Sequence, residues 1–146
     1  MVNTGARPSE LASLTGAQIH LDADVPHISI EPVDRQLKTR NARRLIPLVG
    51  VSLDAFKAAP KGFPKYRSTS ASLSATVNKF LRVNGLMETP GHSLYGLRHS
   101  FEDRLLAAGI DERIRRDLFG HALNRERYGK GASLAHVRDL IQRVAL

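Results

Sequence analysis

The sequence predicts an α+β fold that is mainly helical and carries one small three-stranded antiparallel sheet. Short apolar segments that alternate with polar or turn residues lie between Gln18 and Leu48, a pattern typical of strands. After Leu48, apolar residues recur at helical spacing in five segments that are bounded by capping residues, glycine or proline. With 146 residues and 42% apolar content, the chain is long enough for one compact core, and we expect a single domain.

The first expected element is a short helix beside Arg7. Pro8 suits the first position of a helix, because its missing N–H would have no partner there anyway. Leu11 and Leu14 follow three residues apart, which puts two apolar side chains on one helical face. Arg7 should therefore lie at the start of this helix.

Three short strands are expected to follow. Their apolar residues are, in order, Ile19 and Leu21, then Ile28 and Ile30, then Leu45 with the Ile46-Pro47-Leu48 end. The second turn of this sheet must fall between Asp34 and Arg43. Lys38 is therefore expected at or near the tip of an exposed hairpin.

The remaining helices are recognised from their ends. Serine or aspartate caps and glycine or proline stops delimit four of them, expected at Ser52 to Ala59, from Ser93 to Gly109, from Asp111 to Gly120, and from Ser133 onward. A fifth ends at Gly85 and carries a stripe that we expect to lie in the core, formed by Leu73, Val77, Phe80 and Leu81. Arg98 lies beside the apolar face of the Ser93 helix.

The charge of the chain indicates an anionic partner. There are 22 basic and 14 acidic side chains, a net charge of +8, and the pI is near 10.4. Such a field favours polyanions, and nucleic acid is the leading expected partner. The basic residues form two clusters, which are Arg35, Lys38, Arg40, Arg43 and Arg44, and then Arg113, Arg115, Arg116, Arg125, Arg127 and Lys130. An ordinary solvated face is the alternative for each cluster.

Several function classes are excluded or disfavoured by what the sequence lacks. There is no cysteine, so neither a disulfide framework nor a thiolate metal site can form. No apolar stretch approaches the roughly 20 residues of a membrane span, and the first residues lack the apolar region of a signal peptide. We therefore expect a cytoplasmic protein with no membrane partner.

Five polar residues are candidates for one phosphate site. Arg7 stands near the start of the chain, while Tyr95, Arg98, His121 and Tyr128 follow on successive predicted helices. Arginine suits phosphate because its planar fork donates two parallel hydrogen bonds and keeps its charge. The other phenol, Tyr66, lies in a proline-rich loop and is assigned to packing.

The segments around these residues resemble the tyrosine recombinases, the phage integrase family. Thr4 to Leu11 resembles the first arginine box of that family, and Lys38 to Leu48 resembles its hairpin lysine followed by the Arg-x-x-Pro-Leu strand. Tyr95 to Phe101 looks like the second box, Leu118 to His121 is similar to the Leu-Gly-His element, and Tyr128 stands where the nucleophile follows. Five boxes in one order are specific, although each alone is weak.

The resemblance implies a fold and a reaction. The fold would be that of the catalytic domain of DNA breaking-rejoining enzymes, and the reaction would be strand transfer through a 3′-phosphotyrosine with no metal or nucleotide cofactor. Tyr128 would be the nucleophile, Arg7 and Arg98 would hold the phosphate oxygens, and Lys38 would protonate the leaving 5′-oxygen, with Arg40 as a local competitor. His121 would hydrogen-bond a non-bridging oxygen or the tyrosine.

The resemblance also implies partners and a wider organisation. Double-stranded DNA would be bound by basic residues beside the site, Arg40, Arg43, Arg44, Arg125, Arg127 and Lys130. The complete enzyme would act as a tetramer on DNA, and relatives place further helices and a core-binding domain before the first box, so the chain is expected to be an N-terminally truncated catalytic domain. The last helix would either pack on its own chain or dock into a neighbouring protomer.

Two positions depart from the family pattern. Tyr95 stands where the family usually has histidine or lysine, and a phenol with a pKa near 10 does not easily exchange a proton at neutral pH. The spacing from His121 to Tyr128 is also shorter than in many members. His99, the residue after Arg98, is expected to be a buried structural histidine.

Other readings of the same residues remain open. Arg7 or Arg98 could pair with a carboxylate such as Glu10 or Asp103 and serve only the fold. The chain could also be a non-catalytic DNA-binding module derived from an integrase. A metal-independent phosphodiesterase using His121 and Tyr128 fits less well, because two arginines and a tyrosine suit covalent transfer better than water activation.

Overall fold

The computed structural model describes residues 1–32, 43–67, 69–122 and 129–146. In these residues the helices are α1 (Pro8–Ala12), α2 (Gly50–Ala58), α3 (Ser70–Val83), α4 (Gly96–Ala107), α5 (Glu112–Phe119) and α6 (Leu134–Gln142). The strands are β1 (Ile19–His20), β2 (His27–Ile30) and β3 (Arg44–Pro47), and single 3₁₀ turns occupy Gly16–Gln18 and Pro64–Tyr66. The predicted α+β class, mainly helical with one small sheet, is confirmed.

The three strands form one antiparallel sheet in the order β1-β2-β3. Ile19 pairs with Ile28, and Ile28 pairs in turn with Ile46, so the predicted three-stranded antiparallel sheet is confirmed. Ile28, Ile30 and Ile46 are fully buried and Leu45 is half exposed, but Ser29 and Pro47 are buried as well, so burial does not alternate strictly along β2 and β3. Lys38 and Arg40 fall between β2 and β3, outside the described residues.

The apolar core is formed by residues from the sheet and from most of the helices. Its buried members include Leu14 after α1, Phe56 of α2, Phe101 and Leu105 of α4, Leu118 and Phe119 of α5, and Ile141 of α6. The sheet contributes the isoleucines named above. This arrangement brings the start of α1, the start of α4 and the end of α5 together.

Helix ends follow the predicted caps where the caps are local. Asp111 accepts a hydrogen bond from the Arg113 N–H at the start of α5, and Gly120 ends that helix in the left-handed conformation with φ 64°. Ser133 accepts from the His136 N–H at the start of α6. Each of these predictions is confirmed because the side chain and the orphan N–H groups lie within one turn.

Two helix starts differ from the prediction. α2 begins at Gly50, and Ser52 is a buried residue inside it, because the orphan N–H of Val51 donates to the Leu146 carbonyl at 2.8 Å. α4 begins at Gly96, because the Ser93 carbonyl accepts from the Gly96 N–H at 2.9 Å in a turn that precedes the helix. At the start of α2 the group that accepts this hydrogen bond is therefore the carbonyl of Leu146, at the other end of the chain.

The stripe of α3 that was expected in the core is only partly covered. No residue of α3 is buried, and 58% of Phe80 and 74% of Val83 are accessible to solvent. Leu73, Val77 and Leu81 are half-buried, because α3 contacts mainly α1 and the Pro64–Tyr66 turn. Periodicity identified the apolar face, but the described elements leave it partly exposed.

The final helix packs on its own chain, which was one of the two open alternatives. Ile141 is fully buried, and α6 lies against β3. Beyond α6, the Leu146 backbone pairs with the side-chain amide of Asn3 at 2.9 and 3.2 Å, and Arg104 donates to the Val144 carbonyl. Among the described residues, no helix is both long and apolar enough to span a membrane.

Candidate functional site

Arg98 is the buried centre of the candidate site. It lies in the first turn of α4, and only 2% of the residue is exposed. Its Nη1 donates to the Gly5 carbonyl, and its Nη2 donates to the Phe119 carbonyl at 2.7 Å and lies 3.1 Å from His121 Nε2. One guanidinium thus joins the segment before α1, the end of α5 and the histidine.

Gly5 and Phe119 allow the Arg98 guanidinium to lie this close to the backbone of two other segments. Gly5 has φ 58°, and a Cβ added there would lie 2.8 Å from the Phe119 ring, so only glycine lets the backbone come this close. The Phe119 ring lies beneath the Arg98 guanidinium at 4.5 Å, a cation–π distance, and stacks on Phe101. The Phe119 and Phe101 rings therefore form an aromatic surface beneath the guanidinium.

Glu10 is a second buried charge, and it links three elements of the site. It lies in α1, is 3% exposed, and accepts hydrogen bonds from Arg7 at 2.8 Å and from Arg44 at 3.1 and 2.8 Å. Arg44 also donates from Nε to the Leu118 carbonyl at 2.7 Å. Glu10 therefore holds the start of α1, the start of β3 and the last turn of α5 in one arrangement.

Arg7 is the N-cap residue of α1, as the sequence predicted. Its backbone N–H donates to Glu10 Oε2 at 2.7 Å, which is the glutamate half of a capping box, because a guanidinium cannot itself accept a hydrogen bond. Its side chain is 19% exposed, compared with 6% for Arg44, so Arg7 is the more accessible partner of Glu10. The pairing of Arg7 with Glu10, weighed above as an alternative role, is present in the structure.

Burial and neighbouring cations lower the pKa values of Arg98 and His121. Burial, and then the charge of Arg7, lower the pKa of Arg98 to about 10, so this guanidinium stays charged at neutral pH. Burial, and then the charges of Arg98 and Arg7, lower the pKa of His121 below its usual 6.5. His121 is therefore neutral at pH 7, and since a guanidinium can only donate, its Nε2 is the acceptor and its proton is on Nδ1.

The structure brings together three of the predicted catalytic residues, Arg7, Arg98 and His121. Tyr95 is the N-cap of α4, is 42% exposed, and lies close enough to Arg98 to influence its pKa. Four predicted site residues besides Lys38 lie outside the described residues, namely Arg40, Arg125, Arg127 and Tyr128.

The remaining predicted DNA contacts divide into exposed and buried residues. Arg43 and Lys130 are exposed, and Lys130 lies at the rim of a cavity of about 720 Å³ between β3, α5 and α6. Arg44 is different, since its side chain is buried against Glu10 and Leu118. The prediction that Arg44 contacts DNA from the surface is corrected to an internal role, because a buried carboxylate requires this cation.

His99 also differs from the prediction. It is exposed, and its ring meets Tyr95 edge-on at 5.3 Å. The first turn of α4 turns Arg98 toward the core, and the next residue along a helix points about 100° away from it. Arg98, rather than His99, is the buried polar residue of this segment.

Sequence reasoning missed the parts of the site that are carbonyls and rings. The Gly5 and Phe119 carbonyls and the Phe119 ring carry no motif signal of their own. Glu10 did carry a sequence signal, because a glutamate three residues after the N-cap of a helix can accept a hydrogen bond from the N-cap backbone N–H. Within the described residues, no group of three or more His, Cys, Asp or Glu side chains could hold a metal ion.

Comparison with protein-family models, with curated proteins and with solved structures found no match for this chain. The candidate site is therefore interpreted from its own geometry. It is a buried guanidinium beside a neutral imidazole, with a second guanidinium at the entrance of α1.

Glu10 gives the site a testable pH dependence. Burial by itself would raise the pKa of Glu10, but hydrogen bonds and charge attraction from Arg44, and then from Arg7, lower it below 4.5. A lowered folded-state pKa stabilises the protein above the unfolded-state pKa, and this stability is lost as pH falls through the folded value. We expect Glu10→Gln to lower the free energy of unfolding by about 3 kcal/mol at pH 7.

The difference between wild type and Glu10→Gln should begin to shrink below about pH 4.5, where the carboxylate of the unfolded chain becomes protonated, and should shrink further as pH falls toward the lower folded-state pKa of Glu10. Urea denaturation between pH 3 and pH 7 measures this difference. Glu88→Gln, at an exposed carboxylate, is the matched control and should change stability by less than about 0.5 kcal/mol. A difference that stays constant across this pH range would show that the Glu10 charge is not what stabilises the fold.

Proposed function

We propose that this chain is the catalytic domain of a site-specific DNA recombinase or integrase, which cleaves and rejoins DNA through a 3′-phosphotyrosine. The observation that carries the proposal is the convergence of Arg7, Arg98 and His121 from three separate segments. In sequence order these residues belong to three of the five boxes that resemble the family. A phosphodiester needs fixed cations, and the described site offers two guanidiniums and a neutral imidazole.

Arg98 has donors available for a phosphate. Its bonds to Gly5, Phe119 and His121 use three of its five N–H groups. Among the described residues, the Nε–H and the second Nη1–H have no acceptor. Because Arg98 is already fixed by carbonyls and by the Phe119 ring, it would stabilise charge in the transition state without first being ordered.

The proposed reaction proceeds as follows. The Tyr128 phenol loses its proton to water and its oxygen attacks the phosphorus, so that a new P–O bond forms as the bond to the 5′-oxygen breaks. Lys38 gives its proton to that departing oxygen, which leaves as a 5′-hydroxyl. A 5′-hydroxyl from another strand then returns a proton to Lys38, attacks the phosphotyrosine and restores the phosphodiester, and the expelled phenolate regains its proton from water. The bond energy is conserved, so the reaction needs no cofactor.

His121 would take part as a neutral group. Its Nε2 accepts from Arg98, so the proton that it can offer to a phosphate oxygen is on Nδ1. Tyr95 would contribute a hydrogen bond at most, since it stands where the family usually has a histidine or lysine. Activation of Tyr128 would therefore depend mainly on the surrounding positive charge.

A second candidate is a DNA-binding module that has lost its chemistry. The bonds from Arg98 to two backbone carbonyls favour this candidate, because they would be needed by the fold even without a reaction. Arg7 likewise starts α1 and donates hydrogen bonds to Glu10, which the fold would need even without a reaction. Covalent attachment to DNA separates the two candidates, since only the recombinase forms it.

The test is the capture of a covalent adduct. The chain is incubated with a library of duplexes that carry nicks at varied positions, because loss of the short nicked fragment prevents religation. We expect DNA to remain attached to protein after denaturation, linked through its 3′-phosphate, with a free 5′-hydroxyl on the released fragment. Non-covalent binding without any adduct would favour the binding module.

A further inference from the structure

One part of the chain contains basic residues and no acidic residue at all. Residues 55–87 include no aspartate or glutamate, and they carry Lys57, Lys61, Lys65, Arg67, Lys79 and Arg82. This segment alone has a charge of +6. The rest of the chain has 16 basic and 14 acidic side chains, a net charge of only +2. Residues 35–53, which hold the first basic cluster, also lack acidic residues and carry a charge of +5, so residues 55–87 form a further basic segment outside the two clusters singled out above.

The six cations all lie on the surface. Lys57 is in the last turn of α2, three follow in the connection and 3₁₀ turn before α3, and Lys79 and Arg82 are in the second half of α3. Every one is exposed, and none makes an ion pair with a carboxylate of the described residues. We call these six residues the acid-free surface, after the sequence of residues 55–87; at its edges, Asp54 precedes Lys57 in α2, and Glu88 lines a cavity together with Arg82.

The acid-free surface is connected to the candidate site through α1. Arg7 caps one end of α1, and Thr15, just beyond its other end, bridges to Gly62 inside the basic connection. α1 also packs against α3. Since α1 has five residues, its length is about 8 Å at 1.5 Å per residue. The basic surface therefore begins close to Arg7.

The shape of this surface suits an extended polyanion. α3 has 14 residues, so it is about 21 Å long, and it has no buried residue. Duplex DNA carries one negative charge for about every 1.7 Å of its axis, so a surface of this length faces several phosphates at once. The exposed residues in the first half of α3 are small or polar, namely Ala71, Ser72, Ala75 and Thr76, which allows close approach of a backbone.

We propose that the acid-free surface binds backbone phosphates of duplex DNA that lie outside the phosphate held at Arg98. The proposal rests on the proposed function, because that function makes duplex DNA the partner. Binding here would be independent of base sequence and would use counterion release. Three of the six cations, Lys61, Lys65 and Arg67, lie in the connection before α3, where no exposed side chain is large and apolar, which suits phosphates better than the interior of a lipid surface.

The test measures how DNA affinity depends on salt. A labelled 30-base-pair duplex of random sequence is titrated with protein between about 50 and 300 mM salt. Two variants remove different parts of the surface, Lys57→Gln/Lys61→Gln/Lys65→Gln and Lys79→Gln/Arg82→Gln. The control, Arg138→Gln/Arg143→Gln, removes one charge from α6, where Arg138 is paired with Asp139, and one from the C-cap of α6. The side chains replaced in the two test variants are exposed, and these variants sample the acid-free surface independently.

Each lost phosphate contact should lower the slope of log K against log salt by about 0.9. We expect the triple variant to lose up to about 3 units of slope and the α3 variant up to about 2. At 100 mM salt the triple variant should bind on the order of 100-fold more weakly. The control should change the slope by less than half as much as the α3 variant.

Equal effects of the control and the α3 variant would overturn the proposal, because net charge alone would then explain the binding. It would also be overturned if the variants instead lost binding to vesicles containing phosphatidylserine while duplex binding was unchanged. Adduct formation is measured separately. An adduct with unchanged slopes would refute only this inference, whereas the expected slopes without an adduct would refute only the proposed function.

Discussion

A Tyr128→Phe chain is expected to bind duplex DNA with nearly wild-type affinity and to form no covalent adduct. The substitution removes one oxygen atom, and in the proposed reaction that oxygen forms the bond to phosphorus. Affinity depends instead on cations, which the variant retains. The adduct is measured by denaturing gel electrophoresis of the nicked-duplex reaction, and affinity is measured by fluorescence anisotropy on the intact duplex.

The chain offers matched controls for this variant. There are three tyrosines, and Tyr95→Phe removes the phenol that lies nearest to Arg98 in sequence. We expect Tyr95→Phe to keep the adduct, with a lower rate if its hydroxyl assists the reaction. Mapping of the attached peptide should identify Tyr128. An adduct that survives in Tyr128→Phe, or that maps to Tyr95, would contradict the assignment of the nucleophile.

Removal of Arg98 is expected to lower the rate of cleavage by on the order of 10² to 10³, because loss of one preorganised donor at a developing oxyanion costs about 3 to 4 kcal/mol. Arg98→Lys tests this most cleanly. Lysine keeps the charge but lacks the planar fork, so it cannot serve the Gly5 carbonyl, the Phe119 carbonyl and His121 together. Single-turnover cleavage at saturating protein concentration measures the chemical step.

Arg98→Gln provides a second readout that does not depend on activity. Burial, and then the Arg98 charge, lower the pKa of His121, so loss of that charge should raise this pKa toward 6.5 without fully restoring it. An NMR titration of the His121 ring follows the change.

The two readouts separate a catalytic role from a structural one. Arg98 is buried, and its loss leaves two carbonyls without a donor, at a cost of about 1 to 3 kcal/mol each. A purely structural role would therefore lower stability and would affect DNA binding and cleavage equally. Cleavage that falls by less than tenfold in a folded Arg98→Lys chain would contradict the role of Arg98 in the transition state.

Local patterns in the sequence were sufficient to predict most of the secondary structure. Period-2 alternation identified the three strands, and Asp111, Gly120 and Ser133 identified the ends of α5 and α6. These signals act between residues within one helical turn or within one pair of strands, so they can be recognised without knowledge of the tertiary structure. The sequence order of Arg7, Arg98 and His121 also predicted one site, and the fold brings these three residues together.

Which residues are buried depended on contacts that local patterns do not contain. The apolar stripe of α3 was expected in the core, yet α1 and the Pro64–Tyr66 turn cover it only in part. His99 and Arg98 are adjacent in sequence, and only the orientation of α4 decides that the arginine is the buried one. Periodicity specifies the relative direction of side chains, whereas burial depends on the position of the neighbouring elements.

The sequence by itself determined the fold class, the start of α1 at Arg7, the net positive charge and three members of the candidate site, Arg7, Arg98 and His121. Only the tertiary structure decided which groups bind the buried charged side chains of the site. Glu10 and Arg44 are 34 residues apart and form a buried pair, and Arg98 is fixed by carbonyls of Gly5 and Phe119. A buried charge must find its partner wherever the fold places one, and a backbone carbonyl has no sequence signature, so neither link could be predicted from the order of residues.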